Sequence, residues 1–213
     1  MQTPRNPRKT RKTGKGLGLL VFCVLLVAAL IIIGPKEPMR RALNVAADGT
    51  PIESYAGLVI SEVMSANTSA LPDENGRFPD WVEIYNSADH ALNLDGVSMS
   101  NRPDKVKFIF PAIILQPGER LVIFCDGTNR NQLGHPLHAK FKLSSTRSAV
   151  YLFDTAGRVI TSLQVPTLNM DEVYALMPGN EYAITEAYTP GYPNTQEGHE
   201  AYMASYAVEQ GAL

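Results

Sequence analysis

"PDWVEIYNSADHALNLDG", residues 79–96, holds the chain's one tryptophan, Trp81, between two acids, Asp80 and Glu83. Such a pair could be a general acid and base, or simply part of a buried strand and its following loop. Alternation decides between them. In a strand over 80–86, Asp80, Val82, Ile84 and Asn86 face one way and Trp81, Glu83 and Tyr85 the other. The two carboxylates then lie on opposite faces, roughly 10 Å apart along the chain at about 3.3 Å per residue. They cannot serve one small catalytic site together. Val82 and Ile84 supply a core face, Asp80 can accept loop N–H groups where the strand begins, and Asn86 and Asp89 suit the turn that follows. The stretch is therefore read as a strand. Asp80 and Glu83 remain secondary ligand candidates, and no catalytic residue, metal ligand or cofactor is assigned.

The same pattern continues outward. Turn dipeptides recur at Asn75-Gly76, Asp95-Gly96, Pro117-Gly118, Asp126-Gly127, Ala156-Gly157, Pro178-Gly179 and Pro190-Gly191. Between them lie runs rich in β-branched and aromatic residues: 57–64, 80–86, 106–110, 120–125, 139–143, 149–153, 158–165 and 172–177. Eight or nine short strands spaced this way predict an all-β sandwich or barrel. "FPAIILQPGERLVIF" (110–124) reads as two strands joined by a Pro-Gly turn, and "FDTAGRVI" (153–160) as a hairpin. Cys125, closing the apolar run "RLVIFC", reads as a small buried hydrophobe. The tail 196–213 fits either a short helix interrupted by Gly198 and Gly211 or a linker.

The N-terminus is a separate region. The first fifteen residues hold six of the 19 Lys and Arg and none of the 21 acids, so the remainder carries 13 cations against 21 anions, a formal −8. Next comes "LGLLVFCVLLVAALIII" (17–33), without a charge. As a helix it spans roughly 26 Å at about 1.5 Å per residue, close to a hydrocarbon core of about 30 Å. It is too long for a cleaved signal peptide's apolar region, and "GPKEPMRR" after it offers no small-x-small site. The expected organisation is a basic cytoplasmic tail (1–15), one transmembrane helix (16–34), a spacer (35–56), a β-sandwich (57–195) and a tail (196–213). The positive-inside rule places the N-terminus in the cytoplasm and the body outside the cell membrane.

No other motif carries chemistry. His135 and His138 have no nearby Cys or acid to complete a zinc site, and read as solvated loop residues. Asp73, Glu74 and Asn75 only faintly suggest a calcium loop and lack EF-hand spacing. Phosphate-binding glycine loops, serine elbows and Cys-x-x-Cys are missing from the sequence. The acidic body disfavours a nucleic-acid partner, and Lys105, Lys107, Lys140 and Lys142 read as a solvated strand face, with a small basic patch as the alternative. The rival to a binding module is a hydrolase or metal enzyme that uses loop acids such as Asp73, Asp80 and Asp104.

"LVISEVMSAN" (58–67), "DWVEIYNSADHALNLDGVSMS" (80–100), "FIFPAIILQPGERLVIF" (108–124), "HAKFKLSSTRSAVYLFDTAGRVI" (138–160) and "TPGYPN" (189–194) together resemble the lamin tail domain, in the family's order. The resemblance implies an immunoglobulin-like β-sandwich and a non-catalytic module. The chain has no heptad rod and has a membrane run, so it looks like bacterial, membrane-anchored surface versions rather than a nuclear filament protein. The implied partners are the membrane, through 16–34, and an unknown extracellular protein or glycan. "TPGYPNTQEGHEAY" (189–202) also resembles the junction leading into a spore-coat-type kinase domain, so a piece of a larger surface protein is a third reading.

Overall fold

A computed structural model describes residues 55–209. The expected cytoplasmic tail, membrane helix and nearly all of the spacer lie outside the described residues. Within them, no helix is long and apolar enough to cross a membrane.

Among the described residues, twelve strands and one helix follow in order: β1 (Leu58–Met64), β2 (Trp81–Asn86), β3 (Leu92–Asn93), β4 (Ser98–Ser100), β5 (Phe108–Ile109), β6 (Ile114–Leu115), β7 (Arg120–Phe124), β8 (Leu137–His138), β9 (Ser148–Phe153), β10 (Val159–Val165), β11 (Val173–Met177), β12 (Glu181–Thr185) and α1 (Gln196–Glu209). They form a six-stranded sheet in the order β12-β11-β1-β2-β7-β8, a four-stranded sheet β10-β9-β4-β5 and a small β3-β6 pair. The two larger sheets enclose an apolar core that includes Ile60, Val63, Val82, Ile84, Ile123, Val150 and Leu152. This is the all-β, immunoglobulin-like sandwich expected.

Three local expectations need correction. The Pro117-Gly118 turn forms, with Gly118 at φ 81° and Glu119 N–H donating to Gln116 O (3.0 Å). The strands it joins do not pair: β6 goes to β3 and β7 to β2. A tight turn fixes a reversal of direction, whereas the core decides which sheet each arm joins. Residues 139–143 keep the predicted alternation, with Ala139 and Phe141 buried and Lys140 and Lys142 exposed. They form only a single bridge, Asp126 to Lys142, and β8 takes the edge instead. β12 was not anticipated: "EYAIT" lacks the strong apolar alternation of a core strand because it is an edge strand, held by Tyr182 OH donating to Ile60 O (2.6 Å).

Two turns share one local design, visible as Asp-x-x-Gly-Arg at 73–77 and 154–158. In each, aspartate Oδ1 accepts the backbone N–H groups two and four residues on, and Oδ2 accepts the arginine Nε–H. Gly76 and Gly157 take the left-handed position, at φ 72° and 78°. Burial alone would raise both aspartates' pKa values, but the bonds from Arg77 and Arg158 outweigh it and hold both below the usual carboxylate range.

Candidate functional site

The outer face of the six-stranded sheet, turned away from the core, carries the unusual chemistry. The β1–β2–β7 register sets its rows. Phe124, Trp81 and Met64 form one, Val122, Glu83 and Glu62 the next, and Arg120, Tyr85 and Val59 the last. A bulge at Ser61 produces this arrangement by letting Ile60 and Val63, three apart, share the inner face while Glu62 turns outward. Glu62 and Glu83 are thus direct cross-strand neighbours, each 0% exposed.

Like charges facing each other in a dry site destabilise a sheet. The C-terminal segment shields this pair. Thr189 N–H donates to both Glu62 oxygens (3.1 and 3.2 Å), Gly191 N–H donates to Glu83 Oε2 (2.6 Å), and Ser61 Oγ–H donates to Glu83 Oε1 (2.5 Å). Burial pushes the Glu83 carboxyl up to about 7, despite the lowering effects of Ser61, Gly191 and Arg120. Burial, reinforced by the neighbouring Glu83 charge, holds Glu62 well above the ordinary value. Asn194 staples the cover in place, its Nδ2–H donating to Ser61 O and Leu176 O (both 2.9 Å).

Beyond the carboxylates the face becomes apolar. Trp81, Met64, Ala70, Phe124, Val173 and Ala175 form a second cluster. Helix α1 covers part of this face through Tyr202, whose OH donates to Ala70 O (2.6 Å) and whose ring meets Tyr188 edge-on at 5.7 Å. Thr195 caps the helix, its Oγ1 accepting Gly198 N–H (3.0 Å). Gly198, which interrupted the helical pattern in the sequence, packs directly on the Pro193 carbonyl, where a Cβ would collide.

The structure separates the two candidates read from the sequence. Asp80 stands at the entry to β2, half-buried, with Oδ1 accepting Asn67 N–H (3.3 Å) and its backbone carbonyl accepting Cys125 N–H (2.7 Å). Its pKa is raised by burial. Glu83's carboxylate neighbour is Glu62. Sequence reasoning missed Glu62; its signal was an acid within the apolar run "LVISEVM", but the covering loop lies 127 residues away.

His138 also departs from expectation. It is fully buried on β8 against the Phe124 ring, centroids 5.1 Å apart. Nδ1 lies 2.9 Å from Asp126 Oδ2, and Nε2 meets Arg130 Nη2 and, at 3.2 Å, Glu74 Oε2. The acids that make burial tolerable are 12 and 64 residues distant, which is why local sequence suggested a solvated residue. Asp73, Glu74 and His138 lie close enough together for a cation, but Arg77 and Arg130 already occupy the acids. The rival set is not assembled: neither Asp80 nor Asp104 belongs to this group, and Asp104 faces Arg102 in solvent. Cys125 is buried, its thiol pushed up by burial.

The four lysines are not a plain strand face. Lys105, Lys107 and Lys140 line a cleft of about 390 Å³ with Asn129, Asn131 and the exposed Val106 and Ile109. Lys142 and Arg147 line a second, about 280 Å³, and Asn101 links the two: its Oδ1 accepts Lys107 Nζ–H (2.6 Å) while its Nδ2–H donates to Lys142 O (3.0 Å). No acid lines either cleft.

Comparison with known families agrees with this fold. The Lamin Tail Domain profile matches residues 51–167, over half of the chain. The chain belongs to the lamin tail domain family. No curated protein sequence matches it. The match takes in β1 to β10 and both buried glutamates. β11, β12, the Thr189–Gly191 cover and α1 lie beyond it, so this lamin tail domain completes its outer face with residues outside the matched segment.

Proposed function

We propose that the chain is a non-catalytic binding module of lamin-tail type, tethered by helix 16–34 with its sandwich outside the cell membrane, whose recognition surface is the lysine tract. The observation that carries this reading is the pair of acid-free clefts presenting Lys105, Lys107, Lys140, Lys142 and Arg147 on a body of formal charge −8. Cations concentrated against an opposing background define a docking face for an anionic partner and speed its encounter. The exposed Val106 and Ile109 add apolar contact beside the charges. The membrane run and basic tail support the tether, and an anionic surface glycan is the partner class that fits both features.

The test uses the full chain in detergent, titrated with an anionic glycan, a neutral glycan and single-stranded DNA. Replacing Lys105, Lys107 and Lys140 together with Gln should weaken anionic-glycan binding at least tenfold at low salt, and binding should fall as salt rises. Preferential binding of DNA would replace the partner class, and turnover of any probe would end the non-catalytic reading. Protease added to intact cells should remove the sandwich; protection until permeabilisation would reverse the orientation.

A further inference from the structure

On the opposite side of the sheet from the sandwich core, one cavity has a construction that the fold does not require. It measures about 180 Å³ and lies between the 177–180 turn and the 193–195 segment, with Ser61, Tyr85 and Arg120 in its lining. Its walls are fixed. Asn194 ties one to the β1 and β11 backbones, as described above, and the other is held by Asn180, at φ 65°, donating its N–H to Met177 O (3.1 Å).

Arg120 is the unusual member of this lining. Its side chain is only 13% exposed and its guanidinium lies 4.1 Å above the Tyr85 ring, so its plane is held by stacking. Its hydrogen bonding is nearly unused. Nε has no hydrogen-bond partner in the protein, and Nη1 reaches only Gly118 O, at 3.4 Å. The nearest acid oxygen, Glu83 Oε1, is also 3.4 Å from Nε and already takes the Ser61 hydroxyl. A buried Nε–H without a partner is costly unless an acceptor meets it. Its fork matches the two oxygens of a planar carboxylate.

We propose that the Arg120 cavity is a binding site for a single carboxylate group, carried by a small organic acid or by an acidic side chain of a partner. At about 180 Å³ the cavity is smaller than either lysine cleft and shares no lining residue with them, so this site is distinct from the lysine tract. Glu83 makes occupancy depend on pH. The charged and titratable groups facing it are Glu62 from β1 and Arg120 from β7, with Ser61 and the Gly191 amide completing its shell. Below about pH 7 the Glu83 carboxyl is protonated and Arg120 faces the ligand as an unopposed cation. Above it, Glu83 competes for Arg120 and repels the incoming anion.

The experiment follows the backbone amides of Gly179, Asn180 and Thr195 by NMR on the full chain in detergent. The probes are acetate, L-glutamate and a short peptide bearing one internal glutamate and blocked ends. Saturable shifts at these amides at pH 6, weakening at least fivefold by pH 8, are expected for at least one probe. The best probe then identifies the source, free acid or side chain. Arg120→Gln should weaken binding at least tenfold. Glu83→Gln, which retains an acceptor for Gly191 N–H, should bind as well at pH 8 as at pH 6. The proposal is overturned if no probe saturates those amides, or if binding in Glu83→Gln still falls with pH. Should Arg120→Gln fail to fold, the Glu83→Gln result decides, since that variant keeps Arg120 in place.

Discussion

The two faces of the six-stranded sheet are built by opposite rules from the same strands. On the inner face, Ile60, Val63, Val82, Ile84 and Ile123 meet the second sheet and need nothing but volume and apolarity. On the outer face, the rows run from Trp81 through the Glu62–Glu83 pair to Arg120 and Tyr85, and each of the two carboxylates takes a backbone N–H from the C-terminal segment. Successive residues of one strand thus serve both rules: Ile84 is held by packing, Glu83 by the Ser61 hydroxyl 22 residues away and the Gly191 amide 108 residues away. An apolar face tolerates any neighbour of suitable shape, whereas a buried carboxylate tolerates only a donor at the right atom.

The largest effects should come from breaking the apolar part of each face. Ile84→Ala inside and Trp81→Ala outside should each cost about 3 to 5 kcal/mol in denaturant unfolding. They should differ in pattern. Trp81→Ala should increase amide exchange in α1 before the sandwich opens, since Tyr188 packs against the Trp81 cluster and against Tyr202; Ile84→Ala should lower protection throughout. Equal loss of protection in both variants would mean that the outer face is no separate cooperative unit.

The polar row predicts a change of opposite sign. Glu83's folded pKa, about 7, lies above the ordinary glutamate value of about 4.5, so between these values the folded protein holds a proton that the unfolded chain has released. Stability from this group is therefore greatest below about pH 4.5, falls as pH rises towards 7, and stays low above that. Glu83→Gln should raise stability at pH 8 by about 1 to 3 kcal/mol and change it little near pH 4. Thermal melts across this range would show it, and a destabilised variant at pH 8 would mean that the ionised carboxylate is favourable where it sits.

A smaller effect should separate the helix from the sheet it covers. Tyr202→Phe removes the bond to Ala70 O while keeping the ring contacts, and should cost about 1 kcal/mol. The loss should appear as faster exchange confined to α1 and residues near Ala70. A uniform drop in protection would make that hydrogen bond part of the global core.

How much of this could be read in the sequence depends on the range of the interaction involved. Alternation at Val82 and Ile84 predicted the inner face, and the turn dipeptides placed most of the strands, because both signals are written within a few residues. The Asp-x-x-Gly-Arg turns are equally local. Separation of Asp80 from Glu83 followed from period two alone. By contrast, Glu83's true neighbour depends on strand register and on the bulge at Ser61. His138's burial depends on Glu74, and the lysine clefts depend on loops at 101–107, 129–131 and 140–147 meeting in space.

The sequence by itself determined most of the strands, the turns, the family and a charge-segregated N-terminus with an apolar run, because periodicity, backbone preference and composition are properties of adjacent residues. Only the tertiary structure decided which carboxylates meet, what covers them and where the lysines gather. Burial and charge act through distance in space, and the residues that set them here lie tens to more than a hundred positions apart along the chain.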